Sequence, residues 1–276
     1  LMKFEIRGEN YEIRPYICSP NTEFPFYINI TNLCNAKCDF CCNNNKDFRK
    51  LDMDFLKEAL DIVSNKVSRI SISGGETMIS TSNLEKLLNL VNSYNRCITM
   101  NTNGSFLLQS VDMLNKYENI ESIQLSRHHY DDDKNNEIFK IKTLSFDEMK
   151  NIRLNSDLRI NCLLIDGYID SLDEVKKYLD ILAEETNIYQ VGFISMMPVN
   201  EYTKEKFVDY RDLIADIGDE FQEVEIMADG DRCSCANYFY TSKCGRELFV
   251  YFRYTKGYGC SGRSLFFDCA GLKEGY

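Results

Sequence analysis

Residues 26–32 (Phe-Tyr-Ile-Asn-Ile-Thr-Asn) alternate apolar and polar positions as a half-buried strand does. Over 53–65 the period changes, and Phe55, Leu56, Ala59, Leu60 and Val63 recur at helical spacing. Arg69-Ile70-Ser71-Ile72-Ser73 alternates again and stops on Gly74-Gly75, after which Leu84, Leu87, Leu88 and Val91 predict a helix over 83–94. The exchange continues with strands at 97–101, 121–126, 158–165 and 189–194. Helices are predicted near 107–117, 145–154, 171–184 and 204–217. Strands alternating with helices of this length predict β-α units around a parallel sheet. Six such strands before residue 200 suit an α/β barrel, partial or full, with its chemistry at the C-terminal ends of the strands.

The pattern changes after about residue 218. Glu223–Met227 reads as a strand, and 237–252 as a hairpin whose arms, 237–240 and 248–252, flank a turn near Lys243-Cys244-Gly245. Glycines and cysteines punctuate 257–269. The expected organisation is a lead-in over 1–25, an α/β body over 26–217 and a small cysteine-rich α+β extension over 218–276. No apolar run reaches the 18 residues of a membrane span, and the N-terminus lacks the basic-then-apolar pattern of a secretory signal. The net charge, 32 − 43 = −11, disfavours nucleic acid and anionic membranes as partners.

Twelve cysteines in a chain without a secretory signal point to a reducing, cytoplasmic setting and to metal or redox chemistry rather than disulfides. Cys34-Asn-Ala-Lys-Cys38-Asp-Phe-Cys41 spaces three thiols on a predicted loop directly after the first strand. Three soft thiolates suit zinc or an iron–sulfur cluster. A cubane usually takes four protein thiolates, so three leave one iron open, whereas structural zinc would want a fourth ligand. Cys42 is adjacent, but its side chain starts in the wrong direction to join Cys41 easily. Incidental buried thiols are the plainest alternative.

This segment resembles the CxxxCxΦC signature of the radical S-adenosylmethionine (radical SAM) superfamily, with Phe40 at the aromatic position. Gly74-Gly75-Glu76 resembles the family's GGE motif, with Thr77 where Pro is common, and Thr102-Asn103-Gly104 resembles the TNG that follows its third strand. The resemblance covers roughly residues 26–200. It implies a partial (β/α)6 TIM-type barrel with a [4Fe-4S] cluster on Cys34, Cys38 and Cys41. It also implies S-adenosyl-L-methionine (SAM) on the open iron, its methionine amino group received at Gly74-Gly75-Glu76, where glycine lets backbone approach closely. Reduction by an external donor such as flavodoxin or ferredoxin then yields a 5′-deoxyadenosyl radical that removes a substrate hydrogen. The cofactor carries that chemistry, and the protein positions it.

Strand four ends in Ser126-Arg127-His128-His129-Tyr130, with both histidines of the chain at the end where a barrel active site lies. The resemblance implies a SAM contact from Ser126 or Arg127, and a guanidinium suits a carboxylate. His128 or His129 could position substrate or move a proton, or simply cap neighbouring structure. Asp131-Asp132-Asp133 reads as a solvated turn. The resemblance also places Asn161 near the adenosine. Met197, in Met196-Met197-Pro198, could wall the adenine pocket, although Met more often packs. Cys97 and Cys162 read as small apolar strand residues.

Five further thiols stand at Cys233, Cys235, Cys244, Cys260 and Cys269. Their placement resembles the SPASM or twitch extension with an auxiliary cluster, although Val250 stands where that motif wants Cys. Cys233, Cys235, Cys260 and Cys269 are the favoured ligands of a second [4Fe-4S] cluster, with zinc or free thiols as alternatives. Cys244, in the predicted turn, is the main substitute ligand, and as the thiol left over it is a candidate hydrogen-atom donor. The expected function is modification of a peptide by oxidation, cross-linking or epimerisation, although some 25 residues before the first strand are few for a separate leader-binding domain. A small-molecule dehydrogenase acting on an aminocyclitol or sugar is the alternative. A non-catalytic iron–sulfur or zinc protein is the third reading, and the intact motifs argue against it.

Overall fold

The computed structural model describes residues 1–14, 23–43, 45–224, 235–255 and 263–275. The chain opens on an antiparallel hairpin of β1 (Met2–Ile6) and β2 (Glu9–Ile13), absent from the expected elements, which buries Ile6, Tyr11 and Ile13 in the main core. The body follows as β3 (Phe24–Asn29), α1 (Met53–Val63), β4 (Val67–Ser73), α2 (Thr81–Asn92), β5 (Cys97–Thr102) and α3 (Leu107–Leu114). It continues with β6 (Ile120–Ser126), α4 (Asp132–Phe139), α5 (Phe146–Asn151), β7 (Asp157–Leu164), α6 (Leu172–Glu185) and β8 (Gln190–Ser195). Strands β3 to β8 pair parallel in chain order, as the alternating pattern predicts. The helices behave as their stripes require: α1 buries Leu56, Ala59, Leu60 and Val63, and α2 buries Leu84, Leu87, Leu88 and Val91.

Two local expectations are corrected. The helix expected over 204–217 is two short pieces, α7 (Glu201–Glu205) and α8 (Tyr210–Leu213). The acidic run is a helix start rather than a turn. Asp131 caps α4 by accepting a hydrogen bond from Lys134 N at 3.0 Å, and Asp132 and Asp133 fill the first turn, where the helix dipole favours negative charge.

The sequence changes character near residue 218, but the sheet does not end there. β9 (Phe221–Glu223), β10 (Ala236–Thr241), β11 (Glu247–Tyr254), β12 (Ser264–Asp268) and β13 (Gly271–Gly275) all join it. β11 lies parallel to β8 and β12 lies parallel to β3, so the parallel set grows to the order β12-β3-β4-β5-β6-β7-β8-β11. β10 and β9 extend one edge antiparallel, and β13 extends the other. Among the described residues β11 and β12 do not pair with each other, so the described strands trace no closed ring. The expected hairpin is β10–β11. Of the strand read at 223–227, residues 225–227 lie outside the described residues, as do Cys18, Cys233 and Cys260. No helix among the described residues is long and apolar enough to cross a membrane.

Candidate active site

The loop after β3 carries Cys34, Cys38 and Cys41 across the C-terminal ends of the parallel strands, and several elements hold it. Gly75 N donates to Thr31 O at 2.6 Å and Glu76 N to Leu33 O at 2.8 Å, from the end of β4. Asn35 donates to Ser105 Oγ at 2.9 Å and accepts from Asn103 Nδ2 at 3.0 Å, beyond β5. Lys37 N reaches Phe139 O of α4 at 3.3 Å, and Asn200, the cap of α7, donates to Asp39 O at 2.9 Å. The Phe40 ring meets His128 edge-on at 5.0 Å and Phe139 at 6.0 Å.

The donor set fits an iron–sulfur cluster. Ala36 N donates to Cys34 Sγ and Asn43 N to Cys41 Sγ, each at 3.4 Å, and such bonds favour a sulfur that carries negative charge. Burial, with Cys41 and Cys34 nearby, pushes the Cys38 thiol up to about 12, and burial raises Cys34 as well. In the protein alone these thiols resist ionisation, and a bound cation reverses that balance. Among the described residues no three His, Cys, Asp or Glu side chains converge on a single ion. Thiols that would share one iron–sulfur cluster need not converge on one ion.

The glycines of the GGE segment serve this loop. A Cβ at Gly74 would stand 2.7 Å from Thr31 O, and one at Gly75 would stand 2.2 Å from Leu33 O and 2.8 Å from Asn32 O. Their close approach is therefore to the cysteine loop itself, where the sequence reading had it toward a ligand. The Glu76 side chain, 1% exposed, accepts from Met78 N (3.0 Å), Thr102 Oγ1 (2.6 Å) and Asn103 N (2.8 Å). Burial raises its carboxyl pKa against the opposing pull of those three donors. Glu76 thus ties the end of β4 to the end of β5. Thr77, 2% exposed, adds a bond from Oγ1 to Asn101 O at 2.6 Å.

Inside the barrel lies a cavity of about 500 Å³. Alternate residues of the strands face it, among them Ser71, Thr99, Gln124, Ser126 and Asn161, and Phe40 and His128 close its loop side. His128 is fixed: Nδ1 accepts from Leu163 N at 3.1 Å, and the ring stacks on Phe139 at 4.8 Å. Burial lowers its pKa from 6.5 to about 3, so the imidazole is neutral and carries its proton on Nε2.

The radical SAM superfamily profile matches residues 28–182, more than half of the chain. The chain belongs to the radical SAM superfamily. The GTP 3′,8-cyclase of Alkaliphilus metalliredigens is 26% identical over 195 residues, which is 66% of this chain and 59% of that protein. The putative peptide biosynthesis protein YydG of Bacillus subtilis is 26% identical over 102 residues, 36% of this chain and 32% of that protein. The crystal structure of Streptococcus suis SuiB bound to precursor peptide SuiA superposes with a TM-score of 0.59 at 24% identity, covering 70% of this chain and 44% of that one. The matches therefore span less than two thirds of each relative, and SuiB shares the fold.

For a radical SAM enzyme the remaining expected residues fall into two groups. Ser126, Asn161 and His128 line the cavity. Arg127 and His129 do not, because the alternation along β6 turns them outward. Arg127, 1% exposed, donates to Leu144 O (2.7 Å), Tyr130 O (3.1 Å) and Asp132 Oδ1 (2.5 Å), and lies 4.4 Å from the Phe146 ring centroid. Its expected SAM contact is corrected to a structural one. His129 is buried against Tyr130, with Nδ1 accepting from Asp131 N at 2.9 Å, so its expected substrate role is corrected too. Met197 is half-buried after β8 and does not line the cavity, while Met196 packs with Ile138, Phe139 and Ile165.

The cysteine assignments also change. Cys244 lies in the β10–β11 turn, exposed and against Ser242 Oγ at 3.2 Å, at the end of the sheet opposite the cysteine loop. It cannot reach the cavity, and its expected role as hydrogen-atom donor is corrected. Cys42, set aside in the sequence reading, does line the cavity. Cys97 is exposed at the start of β5 rather than buried, whereas Cys162 is buried as expected. Cys269 stands beside the cysteine loop, 3.7 Å from Asn32 Nδ2 and 3.5 Å from Asp47 O. Cys235 precedes β10, whose first residue pairs with Phe252. The other two favoured ligands of a second cluster, Cys233 and Cys260, lie outside the described residues.

One contact that the sequence reading missed joins the C-terminal strands to the site. Tyr251 on β11 donates to Asn161 Oδ1 at 2.6 Å, and Asn161 Nδ2 donates to Gln124 Oε1 at 2.9 Å. The Tyr251 ring crosses β8 at Gly192, where a Cβ would stand 2.2 Å from its Cζ. Gly192→Ala is expected to cost about 1–3 kcal/mol through overpacking, read as a lower midpoint in denaturant titration. An unchanged midpoint would show that the ring can move aside. His128 has a signature in pH. Between pH 6.5 and about 3 the unfolded chain takes a proton that the folded chain refuses, so stability falls as pH drops below 6.5. The loss from this residue is about 2 kcal/mol at pH 5. His128→Gln should remove that part of the pH dependence, and a wild-type-minus-variant difference that stays constant from pH 7 to 5 would contradict it.

Proposed function

We propose that this radical SAM enzyme modifies a peptide. The observation that carries the reading is the cavity of about 500 Å³ that β11 and β12 line together with the barrel strands, with room for a side chain of an extended peptide. SuiB, which shares the fold, is seen with a precursor peptide, and YydG is named for peptide biosynthesis. When bound, the [4Fe-4S] cluster and SAM supply a 5′-deoxyadenosyl radical that takes a hydrogen atom from substrate. In this reading Cys34, Cys38 and Cys41 hold the cluster, and the backbone of residues 74–76 faces the methionyl group. Ser126 and Asn161 face the nucleoside. Phe40 and His128 wall its apolar side, the latter as a fixed neutral donor. A second cluster on Cys235, Cys269 and the two thiols outside the described residues, and reduction by a flavodoxin- or ferredoxin-type donor, belong to the same proposal.

The test is anaerobic reconstitution with iron and sulfide, then reductant, SAM and candidate substrates, with 5′-deoxyadenosine and substrate mass followed together. A peptide altered in step with 5′-deoxyadenosine supports the proposal. The GTP 3′,8-cyclase relative favours a second reading, a small-molecule substrate. Cleavage stimulated by a nucleotide or sugar and never by a peptide would establish that reading instead.

A further inference from the structure

The cavity is cationic in a chain whose net charge is −11. Arg69 of β4 and Arg253 of β11 line it, and its described lining contains no Asp or Glu. The other guanidinium groups that this fold encloses have full sets of acceptors: Arg127 pairs with Asp132, Arg159 pairs with Glu121 and Asp157, and Arg246 donates to the carbonyls of Ala183, Thr186 and Ile188. Among the described residues half-buried Arg253 meets no carboxylate: it has the Tyr254 carbonyl at 3.4 Å, a side-chain bond with Tyr251 and the Tyr251 ring, whose centroid is 5.7 Å from its Cζ. Arg69 is more open, and among the described residues no carboxylate lies within ion-pair reach of it. The two stand at different depths. Arg253 pairs in register with Ile194 near the end of β8, and Arg69 with Cys97 at the start of β5. Positive charge therefore runs along the cavity from its loop side toward its floor.

A half-desolvated guanidinium without an anion leaves charge-assisted bonding capacity unused, and a cleft lined by one sign of charge concentrates the opposite sign. We propose that the substrate peptide presents a carboxylate to this cavity, received by Arg253 with Arg69 below it, so that an Asp or Glu side chain lies at or beside the reacting residue. The inference rests on the peptide reading above. Size favours a carboxylate over a nucleotide phosphate. The 500 Å³ must also take the adenosyl part of SAM, which leaves room for a side chain and little for a second nucleoside with its phosphates.

The reconstituted enzyme, with SAM and without reductant so that nothing turns over, is equilibrated with an equimolar mixture of blocked heptapeptides. Their central residue is Asp, Glu, Asn or Gln, and retained peptides are quantified by mass spectrometry. Wild type should retain the acidic pair about tenfold over the amide pair, the ratio that one charge-assisted contact provides. Arg253→Met should bring the ratio near one, and Arg253→Lys should restore part of it. Because the ratio is internal to each sample, a partly unfolded variant does not imitate the effect. Equal retention of all four peptides, or a ratio unmoved by Arg253→Met, overturns the inference and leaves the peptide reading standing. Retention of none overturns both, and binding of inorganic triphosphate in a parallel arm would then assign the guanidinium groups to a phosphate-bearing substrate. Loss of SAM binding in step with the ratio would move Arg253 onto the cofactor, and it overturns the inference too.

Discussion

Gly75→Ala should leave a folded protein that reconstitutes little iron and forms 5′-deoxyadenosine about 100-fold more slowly than wild type, the scale of a misplacement near 1 Å. The methyl group would meet Leu33 O at 2.2 Å, Leu33 C at 2.5 Å and Asn32 O at 2.8 Å. All three are backbone atoms, so no rotamer change relieves the clash. Either the β4 end or the cysteine loop must retreat. The retreat breaks the bonds from Gly75 N to Thr31 O and from Glu76 N to Leu33 O, directly before Cys34. The strain falls on the one segment whose position sets the three thiols. Gly167→Ala is the control, since a Cβ there has nothing within 4 Å and costs only the penalty of its φ of +86°. Iron content by colorimetry, the visible absorbance of the cluster and the rate of cleavage are the readouts. Wild-type iron and rate in Gly75→Ala would sink this account of the motif.

The body of the fold was legible because each β-α unit has one buried stripe and one buried face, and both periods survive in single residues such as Leu84, Leu88, Ile70 and Ile72. The edges were not legible. β11 and β12 pair with β8 and β3, partners 50 or more residues distant in the chain, and nothing local in Leu248–Phe252 or Leu265–Phe267 says that their neighbours are parallel barrel strands. α4 was missed because Asp131-Asp132-Asp133 looks like a solvated turn, although an Asp is also a favoured helix cap and Asp131 serves as one. At the site, the motifs located the loop and the ends of β4 and β5, but not the direction of their side chains. Glu76 and Thr77 point into hydrogen bonds between strands, and the glycines make room for backbone rather than ligand. Within Ser126–His129 the two-residue period decides which groups face the cavity. Alternation from Gln124 places Ser126 and His128 inside and Arg127 outside, a signal present in the sequence and not used.

Arg127 supplies the sharpest contrast between the chemistry that its residue type invites and the contacts it makes. A guanidinium one residue from Ser126 invites a SAM carboxylate. Its Nη1 and Nη2 instead join the Leu144 and Tyr130 carbonyls and the Asp132 carboxylate, which locks the cap region of α4 against the start of α5. Tyr178 Oη also donates to the Arg127 carbonyl at 3.1 Å. Arg127→Met keeps most of the side-chain volume but strands the buried Leu144 carbonyl and the half-buried Tyr130 carbonyl and removes the cation beside Asp132, which keeps its bond from Phe146 N, and it should cost about 3 kcal/mol. For a chain of this size that lowers the melting midpoint by on the order of 10 °C. Arg127→Lys should recover little, because one ammonium cannot span three acceptors arranged for a planar fork. The SAM concentration for half-maximal cleavage, measured well below the melting midpoint, should match wild type. A raised requirement for SAM with an undiminished midpoint would return Arg127 to the cofactor. The opposite result makes it a positioning residue for α4, whose last residues hold Lys37 and Phe40 of the cysteine loop in place.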